Sequence, residues 1–388
     1  MTSGRQTDFD YALVGGGLQN ALIALGIFRL RPEARVALVE REPGLGGNHV
    51  WCFHAGDIPD ALEPAVAPLV VKSWDAHDVF FPGLERRIER AYSAVSSHRL
   101  ERTLEAAFAA RPGSLLLRGT TALLATHRTL ALSDGTTLTA KVVVRSTGPS
   151  PTLFPGRVGF QKFLGLELEL ERKSPLTSPI LIDARVPQRG GFRFLYALPL
   201  ADDRVLLEDT SYSSSADLPL DELRAGILDY AKARGLAVAR VVREETGVLP
   251  LPLDPLEGSN PEPGGPFIAG YEGGWFHPTT GYSFPVAARL ALLFARLPPE
   301  SLVEAWPLVQ EAHRHQFRFY TRLNRLMFGA FAPEKRYGAL EHFYRLPEDC
   351  LQRFYAMTLT RADRARLFCA RPPRGFSFRL ALSQGSPR

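Results

Sequence analysis

The stretch Asp10-Tyr-Ala-Leu-Val-Gly-Gly-Gly-Leu-Gln-Asn20 decides the fold. Tyr11 to Val14 reads as a short buried strand, Gly15, Gly16 and Gly17 as a tight turn, and Leu18 to Leu30 as a helix with Leu22, Leu25 and Leu30 at helical spacing. A second apolar strand, Arg35 to Val39, ends at Glu40. Strand, glycine turn, helix, strand and acid in this order form a dinucleotide-binding unit. The glycines let the backbone approach a pyrophosphate, and the helix start from Leu18 offers free N–H groups and a positive dipole end to it. Glu40 is placed to accept hydrogen bonds from a ribose hydroxyl. The sixth motif position holds Asn20 in place of glycine.

Working outward, Arg41 to Gly47 is a glycine-rich loop where an adenine-ribose group would lie. His49 and His54 interleave with aromatic residues, but no third ligand stands at a metal-site spacing, so a loop against a cofactor is expected and no metal. Residues 55–95 show no clear period. Leu100 to Ala110 has a helical pattern, and three short β-type runs follow at 114–117, 121–126 and 129–132. The Val142–Val144 strand then ends at Ser146-Thr-Gly148, where Gly148 lets the backbone pass close to a cofactor. From Phe163 to Glu171, leucines and glutamates alternate as in a half-exposed strand. Further strands are expected at 180–184, 192–198 and 204–209, and a helix over 219–234. A strand at 266–269 precedes the loop Gly270 to Pro285, which contains Phe276-His-Pro-Thr-Thr-Gly-Tyr-Ser283, and a helix over 285–297.

The expected fold is therefore α/β. A Rossmann-like FAD domain with a β-meander covers 1–154 and returns at 263–298. An antiparallel substrate domain is inserted at 155–262, and helices occupy 299–388. Within them, His313–Phe331 mixes arginines with aromatics, which suits either an anionic lipid surface or a packed helix with solvent-facing arginines.

The chain has 388 residues, 45% of them hydrophobic and 22% charged, as in ordinary globular proteins. The charge balance of 46 basic against 41 acidic residues, +5, and the lack of a compact basic run argue against nucleic acid. The three cysteines, Cys52, Cys350 and Cys369, fit no metal or disulfide pattern, so a reducing compartment is expected. The start of the chain lacks the apolar core of a signal peptide, and the uncharged run Tyr11–Phe28 is explained by the dinucleotide unit without a membrane span.

Several motifs together are more specific than the glycine turn. These are Gly46-Gly-Asn-His-Val-Trp-Cys-Phe-His54, Gly159-Phe-Gln-Lys-Phe-Leu-Gly165, Ser178-Pro-Ile-Leu-Ile-Asp183, Leu207-Glu-Asp-Thr-Ser-Tyr212, the Phe276–Ser283 run and Phe343-Tyr-Arg-Leu-Pro347. On these the chain resembles bacterial lycopene beta-cyclases over nearly its whole length. The resemblance implies an FAD enzyme, peripheral on the cytoplasmic face of the membrane, that closes the ends of lycopene and other acyclic carotenoids into beta-ionone rings. It implies a flavin reduced by NAD(P)H although the overall reaction is an isomerisation, contact with other carotenoid-pathway enzymes, and Glu208 as the acid/base carboxylate. It extends the cofactor set from Gly15, Gly16, Gly17, Leu18, Glu40, Arg41, Gly47 and Gly148 to Pro278, Thr279, Thr280, Gly281 and Tyr282. One departure is Glu272-Gly-Gly-Trp, where the family often has Arg-Ala-Gly before the Phe-His run.

Protonating an unactivated alkene needs a neutral carboxylic acid in an apolar pocket. Strand period puts Glu208 on one face with Leu206, and Asp209 on the other with Val205 and Leu207. Glu208 is thus the expected donor, with Asp209 orienting the loop or capping a turn at Thr210. Trp51, Trp275, Phe276 and Tyr282 are candidates for stabilising the cation that follows. A redox flavoenzyme (an FAD hydroxylase or isoprenoid reductase) and a carotenoid carrier without catalysis are the alternative functions.

Overall fold

The computed structural model describes residues 8–148, 154, 156–255, 264–369 and 372–383. Its first sheet has the strand order Leu115–Leu117, Val36–Val39, Phe9–Val14, Thr137–Arg145, Thr129–Leu132, Ala122–Ala125, and Phe267–Ile268 also pairs with Thr137–Arg145. The strands around Phe9–Val14 are parallel, and the last two of the order are the antiparallel meander. Tyr11, Ala12, Leu13 and Val36–Val39 are buried, as a parallel sheet covered on both faces requires. Helix Leu18–Leu30 packs against helix Phe284–Arg296, and Gln19 Nε2 donates to Ala287 O at 3.1 Å to tie them together.

The second sheet has the order Val238–Pro252, Val158–Leu170, Arg204–Ser213, Gly191–Ala201, Ile180–Asp183, His77–Phe81, Leu84–Ile88. Two of its strands come from the stretch without a readable period: His77–Phe81 pairs in parallel with Ile180–Asp183 and antiparallel with Leu84–Ile88. Val50–His54, Tyr92–Ser96 and Val70–Trp74 form a small third sheet.

One face of the second sheet, with Val205, Leu207, Leu195 and Ala197, packs on helix Leu220–Ala233 around Leu223, Ile227 and Ala231. The opposite face, with Phe192, Phe194, Leu206 and Tyr212, joins the large core shared with the first sheet's helices and the C-terminal helices. The long helix Pro299–Ala330 turns Phe317, Phe319 and Tyr320 inward. Its Arg314 and Arg318 pair with Glu311, and Arg325 pairs with Asp254. The aromatic stripe of 313–331 packs into the core.

Candidate active site

Glycine geometry builds the first part of the site. Gly15 has φ +101°, and a Cβ there would lie 2.3 Å from Ser146 O, so only glycine lets the ends of the first and fourth strands of the parallel set close together. A Cβ on Gly17 would meet nothing within 4 Å, so the space in front of the helix is open. Gly17 caps Leu18–Leu30 without a side-chain hydrogen bond, and no acid stands in the first turn. The helix start is therefore free for an anion. Glu40 is fixed beside it: its Oε2 accepts from Gly16 N at 2.6 Å and its Oε1 from Glu42 N at 2.8 Å. Asn20 replaces the motif glycine with a function of its own, since its Nδ2 donates to Val14 O and Gly15 O at 2.8 and 2.9 Å and ties the turn to the helix. Leu18 is buried, and Gly148, at φ +93°, has open space where a Cβ would stand. Gly47 is exposed. Arg41 is exposed and pairs with Glu42 at 3.2 Å.

The Pro278–Tyr282 loop precedes a second helix start without a side-chain cap, that of Phe284–Arg296. The loop is held from behind. Asn324 Nδ2 donates to Pro278 O at 2.8 Å, Thr279 is buried against Tyr320 O, and Gly281 N donates to His277 O at 2.9 Å. Thr280, Gly281 and Tyr282 remain half-buried on its open side. Tyr271 stacks on Phe276 at 4.2 Å and donates its hydroxyl to Gly281 O. Glu272 pairs with Arg145 at 2.6 Å and accepts from Thr147 Oγ1 at 2.8 Å. Both residues brace the loop from within. Two helix starts without side-chain caps and the open space in front of Gly17 fit a flavin dinucleotide.

Glu208 lies in the middle of Arg204–Ser213, on the face turned toward the large core. In register it opposes Tyr196 on one neighbour and Gly165 on the other. Thr210, two residues on and so on the same face, donates from Oγ1 to Glu208 Oε1 at 2.5 Å. Burial pushes the Glu208 carboxyl up to about 8, the Thr210 bond opposes this, and the negative charge of Glu245 adds to it. Glu208 nonetheless keeps some accessible surface, as do Tyr196, Tyr271, Tyr282 and Tyr355, whose phenols burial also drives upward.

Tyr196 bonds to Tyr92 (3.1 Å) and to Cys52 Sγ (3.3 Å), and Tyr212 meets Phe192 edge-on at 5.5 Å. Tyr282 donates to Asp57 Oδ2 at 2.5 Å and meets Tyr355 edge-on at 6.1 Å. Tyr92, Tyr196, Tyr212 and Tyr355 were not singled out from the sequence. The only signal for Tyr196 and Tyr212 was their even spacing from neighbours on the Glu208 face.

Asp209 points the other way. Arg193 Nε donates to its Oδ1 at 2.9 Å, and the pair is buried beside Gly226 of helix Leu220–Ala233. It caps no turn at Thr210, which lies inside the strand. The expected cation-stabilising residues also disperse. Trp51 lies beside Gly46 on the opposite face of its strand from Cys52. Trp275 stacks on His313 at 4.3 Å and lines a 290 Å³ cavity between helices Phe284–Arg296 and Pro299–Ala330. Phe276 is enclosed by Phe154, Phe317 and Tyr271. A cleft of about 470 Å³ near Lys72, Lys173 and Asp202 is polar and suits no hydrocarbon.

Fold and cradle together define a Rossmann-type flavoprotein architecture. Solved structures share that fold. One is a geranylgeranyl bacteriochlorophyll reductase-like protein from Thermoplasma acidophilum (13% identity, 97% of this chain and 98% of that chain, TM-score 0.62). Another is PqsL, a probable FAD-dependent monooxygenase from Pseudomonas aeruginosa (17%, 85% and 97%, TM-score 0.54). The lycopene cyclase protein family model matches residues 10–381, and the chain belongs to that family. It is similar to the lycopene beta-cyclase of Pantoea ananas (35% identity, 95% of this chain and 96% of the relative) and that of Pseudescherichia vulneris (37%, 96% and 97%).

Proposed function

We propose that this protein is a lycopene beta-cyclase, an intramolecular lyase that closes the linear ends of lycopene into beta-ionone rings, giving gamma-carotene and then beta-carotene. The observation that carries the mechanism is Glu208: a carboxyl pushed up to about 8 is mostly neutral acid at pH 7. Glu208 gives its proton to the terminal alkene, leaving a tertiary cation. The next double bond attacks that cation and closes the ring. A proton is then lost from a ring carbon and the charge is gone. One proton enters and one leaves, so the product is an isomer of the substrate. The Glu208 carboxylate left by the first step, steadied by Thr210, is the base that takes the second proton. Tyr196, Tyr212 and Tyr282 offer electron-rich faces to the passing charge.

Gly15, Gly16, Gly17 and the start of Leu18–Leu30 would hold the FAD pyrophosphate, Glu40 a ribose, and Thr280, Gly281 and the start of Phe284–Arg296 the ring system. When bound and reduced by NAD(P)H, the flavin supplies negative charge in a water-poor site. The second sheet and the C-terminal helices form the carotenoid-binding half. Among the described residues no helix is long and apolar enough to cross a membrane. We place the protein on the membrane's cytoplasmic surface because its substrate dissolves there.

The test is expression in a lycopene-accumulating bacterium. The wild type should convert the pigment to a bicyclic carotene of unchanged mass. Glu208→Gln should leave lycopene unconverted while the purified protein still binds FAD. Substantial ring formation by that variant sinks the donor assignment, and NAD(P)H consumed in step with product would mark a redox enzyme instead.

A further inference from the structure

Glu208 is not the only carboxylate on its face of the second sheet. Gly165 pairs with Glu208 on one side and with Glu245 on the other, so all three stand on one rung across three strands. Neighbouring strands are about 4.8 Å apart, and residues on one rung project to the same face. Gly165 carries no side chain, so nothing from its own position separates the two acids. A Cβ there would sit 3.5 Å from Leu206 Cδ1 and 3.8 Å from Glu245 Cβ.

Glu245 is held on both carboxyl oxygens. His49 Nδ1 lies 3.1 Å from its Oε1, while Val50 N (3.2 Å) and Arg243 Nη1 (3.1 Å) donate to its Oε2. Its side chain is 6% exposed and that of His49 is 46%, so the acid is interior and its partner stands at the rim. Asn48 anchors the arrangement, accepting from Arg243 at 2.8 Å and donating to Glu244 O at 2.6 Å. A buried carboxyl gripped at both oxygens is fixed in place.

We propose that Glu245 is a positioning residue for the proton donor: a fixed negative charge facing Glu208 across Gly165, which keeps the Glu208 carboxyl neutral and loaded. The proposal rests on Glu208 being that donor. The other groups around Glu208 do not duplicate the role. Thr210 and Tyr212 on its own strand, Tyr196 on the next and Cys52 on the small sheet are uncharged, and their burial keeps the phenols and thiol so. Asp209 acts in the same direction but more weakly, because it faces the other side of the sheet and is paired with Arg193. Glu245 is thus the anion on the Glu208 side of the sheet whose field acts against ionisation. It touches no substrate in this scheme and acts only through Glu208.

The test is the pH dependence of ring closure by reduced holoenzyme on phospholipid vesicles loaded with lycopene. Glu245→Gln keeps the shape and removes the charge. Its alkaline limb should move down by about one pH unit, with the acid-side plateau retained, so the rate above the limb falls roughly tenfold against wild type. Arg243→Gln does the opposite: it uncovers the Glu245 charge and should move the limb up. Glu245→Asp should restore the wild-type position. Limbs that stay put in both glutamine variants overturn the proposal and leave Glu208 as donor. Loss of activity in Glu245→Gln at every pH, with the Arg243→Gln limb unmoved, overturns it too. Failure of the donor assignment reads differently, as ring closure surviving in Glu208→Gln.

Discussion

The Thr210 hydroxyl is the sharpest handle on the acid. It donates to Glu208 at 2.5 Å, and a donor of this kind favours the ionised carboxylate. With the carboxyl at about 8, roughly nine in ten molecules carry the proton at pH 7, whereas an ordinary glutamate at 4.5 would carry it in about one in 300. Replacing Thr210 with valine removes the donor and keeps the shape. A hydrogen bond to a charged group is worth about 1.5–3 kcal/mol, and 1.36 kcal/mol corresponds to one pH unit. The alkaline limb of ring closure should therefore move from near pH 8 to roughly pH 9–10. The assay is the initial rate of bicyclic carotene formation from pH 6 to 10, with FAD saturating and reduced. The plateau is set by the protonated form and should survive. A limb that stays at 8, or moves toward acid, refutes the account of how Glu208 is held.

Other expectations concern stability and the cradle. Because Glu208 titrates higher in the folded chain than in the unfolded one, the wild type loses stability as pH rises from 4.5 through about 8. Glu208→Gln should gain on it across that window by at most about 5 kcal/mol, read from urea unfolding at pH 5 and pH 9. Asp209→Asn leaves Arg193 buried without its partner and should cost about 3–5 kcal/mol, read from urea unfolding. Asn20→Ala frees two carbonyls of the glycine turn and should weaken FAD binding and lower stability by about 1–2 kcal/mol, measured by flavin fluorescence and thermal unfolding. Gly15→Ala would force a Cβ to 2.3 Å from Ser146 O and should abolish FAD binding.

The N-terminal cradle was legible because its signals are local: glycines, a helical period and a strand ending in an acid, all within 31 positions from Asp10 to Glu40. The choice between Glu208 and Asp209 was legible for the same reason, since period two along one strand needs no knowledge of the partner strands. The partner of Glu208 was not. Glu245 sits in Val238–Pro252, whose pairing with Val158–Leu170 shifts register at Glu167/Leu168 and Glu169/Leu170, and bulges of this kind erase alternation. His77–Phe81 and Leu84–Ile88 were hidden because they form a hairpin at one end of a sheet that is completed far along the chain. Trp275 and Phe276 were read by residue type, but which ring meets which is fixed by His313 and Phe317 on a distant helix.

The parallel pairing of His77–Phe81 with Ile180–Asp183 has a price for biosynthesis. The early hairpin leaves the ribosome about a hundred residues before its mate, a wait of roughly 5–20 s at ordinary elongation rates. Throughout that interval it presents an unsatisfied edge to other nascent chains. The two layers are also interlaced, so cutting the gene between them would strand the hairpin with one piece and its sheet with the other. Split or truncated versions should aggregate, and circular permutation should succeed only at breakpoints that keep residues 77–183 on one uninterrupted segment.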